Sequence, residues 1–290
     1  MNEYSPRGER TSEQLHIEVA AATYASEAHP DHNDDRYIAS EKGYVGVFDG
    51  VGGLAGSEQA SLVVSEFCRN VLDTIEIHQR PADAQRLMHD IITLAHIELR
   101  AAHTGDTPIG TSAALVQVFC DPDTDTPYAV TAHAGDSRIH IVVDDEIVDT
   151  TLDHSLSTIF LPLGDQRRIQ DGLSRAQDER QLAGDLKYHA MQRNVIGSLL
   201  ASDERSPRQI DTQVIPVVRG MRFIVTSDGI HDNLTHDEIE ALLAQPHLEQ
   251  TLISRALERS REAGYKLIDD TQLWNFRAKA DDMTVAILSL

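Results

Sequence analysis

Tyr44-Val-Gly-Val-Phe-Asp-Gly50 is an apolar run, β-branched and aromatic, that stops on an aspartate and a glycine. It reads as a buried strand with a carboxylate fixed at its end. Upstream, Tyr37 to Ala39 has the same character, and Glu41-Lys42-Gly43 supplies a turn, so the two runs form a β-hairpin. Three further aspartates sit where apolar strands begin or end. They are Asp136 in Thr131-Ala-His-Ala-Gly-Asp-Ser-Arg138, Asp228 in Phe223-Ile-Val-Thr-Ser-Asp-Gly229 and Asp281 in Ala280-Asp-Asp-Met-Thr-Val-Ala-Ile-Leu288. Carboxylates that converge repel one another unless a cation lies between them. An all-oxygen set of this kind suits a hard ion, Mg²⁺ or Mn²⁺.

Downstream of the hairpin the period changes. From Ser57 to about His78, Val64, Phe67, Cys68, Val71 and Ile75 fall on one helical face. Asp83 to about Ala102 repeats the pattern with Leu87, Met88, Ile91 and Ala95. Strands return at Thr111 to Cys120, Tyr128 to Ala134 and Ile139 to Val143, followed by a turn at Asp144-Asp145-Glu146. His16 to Ser26 is an additional early strand. Residues 161–192, rich in Arg, Asp and Gln, lose the period and read as a surface flap or insertion with short helices. Gln209 to Val218 and Met221 to Thr226 are strands; Thr235 to Ala244 and Leu248 to Ala263 are helices, the first with capping-box spacing at Thr-His-Asp-Glu. Met283 to Leu290 is the last strand. Helix pairs set between groups of strands predict an α+β sandwich rather than an alternating parallel sheet. One domain over 14–290, after a flexible stretch at 1–13, is the simplest division.

The chain has 290 residues, 41% of them hydrophobic, and a formal net charge of −22. That charge disfavours nucleic acid and anionic membrane as partners. No run approaches the ~18 apolar residues of a membrane span. The N-terminal residues lack the apolar core of a signal peptide, so the expected compartment is the cytoplasm. The two cysteines, Cys68 and Cys120, read as core thiols. Asp49-Gly-Val-Gly-Gly53 lacks the Lys-Ser/Thr of a phosphate loop and the spacing of a dinucleotide fingerprint.

Asn33-Asp-Asp35, Phe48-Asp-Gly-Val-Gly-Gly53, Gly110-Thr-Ser112, Gly135-Asp-Ser-Arg138, Asp153-His-Ser155, Arg193-Asn-Val195, Thr226-Ser-Asp-Gly-Ile-His-Asp232 and Asp281-Asp-Met-Thr284 occur in that order. Together they resemble the metal-dependent serine/threonine protein phosphatases of the PPM type (type 2C-like), bacterial branch, from about residue 16 onward. The resemblance implies a four-layer α-β-β-α sandwich, two central antiparallel sheets flanked by pairs of antiparallel helices. It implies two Mn²⁺ or Mg²⁺ ions, bridged by Asp49, with Asp228 and Asp281 on one and the Gly50 carbonyl on the other. Asp34 and Asp35 would act through metal-bound water, and Asp136, with Asp228 and help from Asp232, would serve a weaker third ion. The implied reaction is hydrolysis of phosphoserine or phosphothreonine in a phosphorylated protein, opposing a serine/threonine kinase, by attack of a metal-activated water.

The sequence departs from that pattern at Pro30, where the family carries a phosphate-clamping arginine. His29, His32 and Arg36 are the nearby side chains able to take its place. Val51 stands where eukaryotic members have a histidine, leaving His154 and His231 as proton donors by residue type. Asp282 replaces the usual Asn after the last metal aspartate. The Pro30 departure supports an alternative reading, a catalytically weak regulatory binding protein of the same fold.

Overall fold

The computed structural model describes residues 16–51, 56–203, 207–268 and 271–290. The chain runs from β1 (Glu18–Tyr24) through the hairpin β2 (Asp35–Ser40) and β3 (Tyr44–Asp49) into helices α1 (Ser57–Leu72) and α2 (Pro81–Ala102). A short β4 (Gly110–Thr111) precedes β5 (Ala113–Asp121), β6 (Thr126–Ala134), β7 (Arg138–Val143) and β8 (Glu146–Thr150). Next come α3 (Leu163–Arg175), α4 (Leu186–Gln192), β9 (Leu200–Ala201), β10 (Asp211–Pro216) and β11 (Arg222–Thr226). Helices α5 (Asp228–His231), α6 (His236–Leu242) and α7 (Leu248–Ser260) lead to β12 (Tyr265–Ile268), β13 (Thr271–Trp274) and β14 (Met283–Ser289).

Two five-stranded antiparallel sheets result, ordered β1-β14-β11-β7-β8 and β10-β6-β5-β3-β2. Inner strands such as β3, β5, β11 and β14 read as near-continuous apolar runs because both of their faces are covered. The two-residue period sorts the side chains. In β5, Ala113, Leu115 and Phe119 join the core under α1 and α2, while Ala114, Val116 and Val118 join the core between the sheets. In β14, Met283, Val285 and Ile287 face the core shared with α5, α6 and α7, and Ala286 and Leu288 face the other sheet. The layers are therefore α1–α2, sheet, sheet, α5–α7, the expected α-β-β-α sandwich.

Local departures from the sequence reading have local causes. Helix α1 ends at Leu72, short of His78, because residues 77–79 are drawn into pairing with the end of β5: Cys120 N–H donates to the Ile77 carbonyl (2.9 Å) and Gln79 N–H to the Cys120 carbonyl (3.1 Å). Asp144 and Asp145 both take positive φ (52° and 60°), the geometry of a tight hairpin turn, and so create β8, which its own short charged sequence conceals. The Thr235 capping box is present, with Glu238 N–H donating to the Thr235 hydroxyl (3.2 Å) and Thr235 N–H to the Glu238 carboxylate (2.8 Å). Residues 161–192 contain a full thirteen-residue helix, α3, and the shorter α4. Cys68 is buried; Cys120 is only partly so.

Two core histidines give a pH prediction. His133 on β6 stacks on His154 (ring centroids 4.6 Å apart), with Asp211 beyond it, and burial lowers its pKa to about 4. His140 on β7 lies against Thr150, Thr226 and His231, and burial, with Arg138 and His236 nearby, lowers its pKa to about 3. Both folded values lie below the unfolded one, so as pH falls the unfolded chain takes up protons first. Stability attributable to these rings is complete above pH ~6.5 and is lost toward ~4 for His133 and ~3 for His140, by about 1.4 kcal/mol per ring at pH ~5.5. Urea denaturation in EDTA as a function of pH should show this slope, and His140→Asn should flatten it. A slope unchanged in His140→Asn would contradict the assignment.

Candidate metal centre

The strand ends that carry the aspartates all lie at one end of the sandwich. Asp35 and Asp49 are direct register partners at the open end of β2 and β3. There, too, β5 starts opposite the end of β6 (Ala113 with Ala134), and the start of β7 pairs with the end of β11 (Arg138 with Thr226), itself opposite Val285 near the start of β14. Asp136, Asp228 and Asp281 leave from these ends. The Asp49 carboxylate consequently lies within electrostatic reach of Asp35, Asp228, Asp281 and Asp136.

Several hydrogen bonds hold the centre in place. The Asp49 carbonyl accepts from Ser112 N–H (2.8 Å) and the Thr111 hydroxyl (2.9 Å), and Asp49 N–H donates to the Ser112 hydroxyl (3.3 Å). Ser112 in turn pairs with Ser137 (2.6 Å), beside Asp136. Asp34 accepts from Ser57 Oγ (2.7 Å), the first residue of α1, and its N–H donates to Asp282 Oδ2 (2.6 Å). Asp282 Oδ1 accepts Ser26 N–H (2.7 Å), so this carboxylate ties the 26–34 loop to the start of β14. An asparagine offers one acceptor oxygen where Asp282 uses two.

Both Asp-Gly pairs need the glycine for space. A Cβ on Gly50 would lie 2.7 Å from the Ser57 carbonyl and 2.8 Å from that of Asp34. One on Gly229 would lie 1.9 Å from the Asp282 carbonyl. Gly229→Ala should therefore force α5 away from the approach to β14 and cost about 3 kcal/mol. Urea denaturation checks this; a loss below about 1 kcal/mol would show that the backbone yields freely. Gly52 and Gly53 of the glycine-rich turn lie outside the described residues.

The carboxylates are crowded and desolvated. Burial, then the charges of Asp35 and Asp228, push the Asp49 pKa well up. Asp35 is raised to about 7 by burial, opposed by hydrogen bonding from Ser227 and aided by Asp282. Asp136 is likewise raised to about 7 by burial and Asp153. Asp228 is raised by burial despite Lys279. One oxygen each of Asp35 and Asp136 is buried without a hydrogen-bond partner. Unpartnered buried carboxylate oxygens, several to a site, are what a divalent cation satisfies. The residues fit the group that the resemblance implies.

Cationic side chains also reach this cluster. Lys279 Nζ contacts Asp228 directly, Asp281 at 2.8 Å and Asp232 at 3.6 Å. Burial opposes its charge, yet Asp228, Asp281 and Asp232 raise its pKa well above the usual lysine value. Arg193 pairs with Asp232 (3.0 Å) and lies over the Phe276 ring. Burial would raise the Asp232 carboxyl, but Arg193 and Lys279 hold it low. Arg138 makes a bidentate pair with Asp153 (2.7 and 2.6 Å) beside Asp136. The motif Arg193-Asn-Val was visible in sequence; a lone lysine two residues before Asp281 was not distinctive.

The three candidates near Pro30 differ. Arg36 Nη1 donates to the carbonyls of Asn33 (2.6 Å) and Asp35 (2.7 Å), and Nη2 to Glu58 (2.6 Å). Its fork is thereby committed to the loop and to α1. His29 stacks on His32 (4.5 Å) and faces Asp282 Oδ1 (3.7 Å). Burial lowers the His29 pKa, but the His32 carbonyl, Asp282 and Asp34 outweigh it and the net shift is upward. His231 is buried with Nδ1 on Thr226 (2.9 Å), and His154 is buried with Nε2 on Asp211 (3.3 Å). His133, His154 and Asp211 also bring ligand-type atoms within 4.8 Å of one another. Their hydrogen bonds are met internally, since the Gln209 amide donates to both Asp211 oxygens and His133 to the Leu152 carbonyl.

By sequence the chain matches no protein-family model and no curated protein. Its fold has clear counterparts. The serine/threonine phosphatase of S. agalactiae superposes with a TM-score of 0.68 at 21% identity, over 94% of this chain and 99% of that one. The Mycobacterium tuberculosis serine/threonine phosphatase PstP/Ppp gives a TM-score of 0.66 at 20% identity, over 95% and 99%. The catalytic domain of PstP in complex with two manganese ions gives 0.61 at 18% identity, over 94% and 98%. The chain thus has the fold of the bacterial PPM-type serine/threonine phosphatases along almost its whole length.

Proposed function

We propose that this chain is a metal-dependent phosphoprotein phosphatase acting on phosphoserine or phosphothreonine. The observation that carries the reading is the gathering of Asp35, Asp49, Asp136, Asp228 and Asp281 at one end of the sandwich, with buried carboxylate oxygens left unpartnered. Asp49, Asp228 and Asp281 are assigned to one Mn²⁺ or Mg²⁺ ion, Asp49 and the Gly50 carbonyl to a second, with Asp34 and Asp35 on its water. Asp136 with Asp228 offers a looser third position. Bound there, the cations would lower the pKa of a water and would neutralise the phosphoryl oxygens.

The protein's own groups supply the rest. Ser112 and Thr111 fix the Asp49 backbone, and Ser57 holds the Asp34 carboxylate. Asp49 and Asp281 keep partial exposure and form the mouth through which a phosphorylated side chain enters. Lacking an arginine at Pro30, the site relies for phosphate contact on the rim histidines His29 and His32; Arg36 acts through the loop it holds. Among the described residues no helix is long and apolar enough to cross a membrane. The expected partner is a phosphorylated protein, with a serine/threonine kinase in opposition.

The test is release of orthophosphate from a phosphothreonine peptide. Turnover should require Mn²⁺ or Mg²⁺ and stop in EDTA. No release above an EDTA blank at saturating metal would leave the regulatory-module reading instead. His29→Ala should raise KM for the peptide severalfold, about 1 kcal/mol of binding, with kcat nearly kept. Unchanged KM in His29→Ala and His32→Ala together would remove both rings from the phosphate site.

A further inference from the structure

Lys279 is held too firmly to be an incidental surface lysine. Asn233, fully buried, accepts the Lys279 N–H at Oδ1 (3.1 Å) and donates from Nδ2 to the Lys279 carbonyl (2.9 Å) and the Gly229 carbonyl (2.8 Å). The backbone is thus fixed from both sides and anchored to α5. The side chain is 16% exposed and ends among Asp228, Asp281 and Asp232. Asp228 and Asp281 are the pair assigned above to one divalent ion. Lys279 takes the Oδ2 of both Asp228 and Asp281, and the other Asp281 oxygen accepts the Asp282 N–H, so an ammonium group and a divalent cation, both positive, would draw on the same pair of carboxylates.

We propose that Lys279 is a built-in cation that competes with the divalent metal for Asp228 and Asp281. This rests on the metal-centre reading above and deepens it. Metal entry at this position requires the Nζ to withdraw, and Asp232, whose Oδ2 is already 3.6 Å away and also pairs with Arg193 (3.0 Å), is the carboxylate that receives it. The lysine therefore neutralises the cluster before metal loads and weakens the loading itself. A purely structural lysine would only stabilise the protein; a competitor produces two changes of opposite sign when removed.

Lys279→Met removes the charge and keeps the length. Mn²⁺ titration by calorimetry of the full chain should show the Kd at this position tightened about 10- to 100-fold. In EDTA the same variant should melt at lower temperature than wild type, because three facing carboxylates lose their counter-ion, and Lys279→Arg should restore the melting point. An unchanged or weaker Kd in Lys279→Met overturns the competition. Should that variant fail to fold, wild type alone decides. The Lys279 ammonium resonance, protected from exchange in EDTA, should shift or vanish at saturating Mg²⁺, and a resonance that stays put overturns the proposal. The two readings fail separately. Wild-type Mn²⁺ binding that Asp49→Asn abolishes upholds the metal centre even where Lys279→Met changes nothing. Absence of binding in wild type and Lys279→Met alike overturns both.

Discussion

Asp49→Asn is expected to reduce phosphate release by about a thousandfold or more, the equivalent of about 4 kcal/mol of transition-state stabilisation. Asp49 interacts with four other carboxylates: Asp35 is its register partner, and Asp35, Asp228, Asp281 and Asp136 all raise its pKa. An amide in its place has nearly the same shape and no charge. The backbone bonds to Thr111 and Ser112 involve its carbonyl and N–H and survive the change. Apo stability should even rise slightly, since a charge that its four carboxylate neighbours repel is gone. Loss of activity with an unchanged or higher melting point in EDTA is therefore the expected pair. Activity within tenfold of wild type would remove Asp49 from the centre.

Arg277→Met is expected to have the largest effect on stability, a loss of about 4 kcal/mol. The guanidinium is fully buried, and burial lowers its pKa to about 9. It donates to the carbonyls of Ala176 (2.9 Å), His231 (3.0 Å), Asp232 and Leu234 (3.4 Å each) and Leu173, and it sits over the Phe276 ring. Those carbonyls belong to the end of α3 and to the turn after α5. One side chain thus fastens the end of α3 to the turn that follows α5, next to Asp232. Methionine fills the volume and leaves the carbonyls without donors, each costing about 1 kcal/mol or more. Urea denaturation measures the loss, and amide exchange should place the earliest opening in α3. A loss under about 1 kcal/mol would mean that water replaces the guanidinium at no cost.

The sandwich was legible because its signals are periodic. Strands buried on both faces are continuous apolar runs, and α1 and α2 carry their stripes over sixteen and twenty-two residues. The aspartates were legible because each ends such a run. What stayed hidden was set by contacts distant in sequence. Among the described residues β12 and β13 pair only with each other, and β8 depends on two aspartates at positive φ. Arg277 and Lys279 look like ordinary basic residues in Asn275-Phe-Arg-Ala-Lys279. Only the fold shows that one reaches α3, over a hundred positions upstream, and the other Asp228. Asp282 reads as a tolerated substitution, yet it accepts two backbone N–H groups from the 26–34 loop. Arg36 reads as a free cation by the phosphate site, and its donors are already engaged.

Titration of Mn²⁺ into metal-stripped protein tests, without reliance on turnover, whether these carboxylates form a divalent-cation centre. Calorimetry should find about two ions per chain, with protons released as they bind, because carboxylates such as Asp35 are held partly protonated near neutral pH. The heat should largely disappear in Asp49→Asn. Binding that is absent in wild type, or undiminished in Asp49→Asn, would contradict the account.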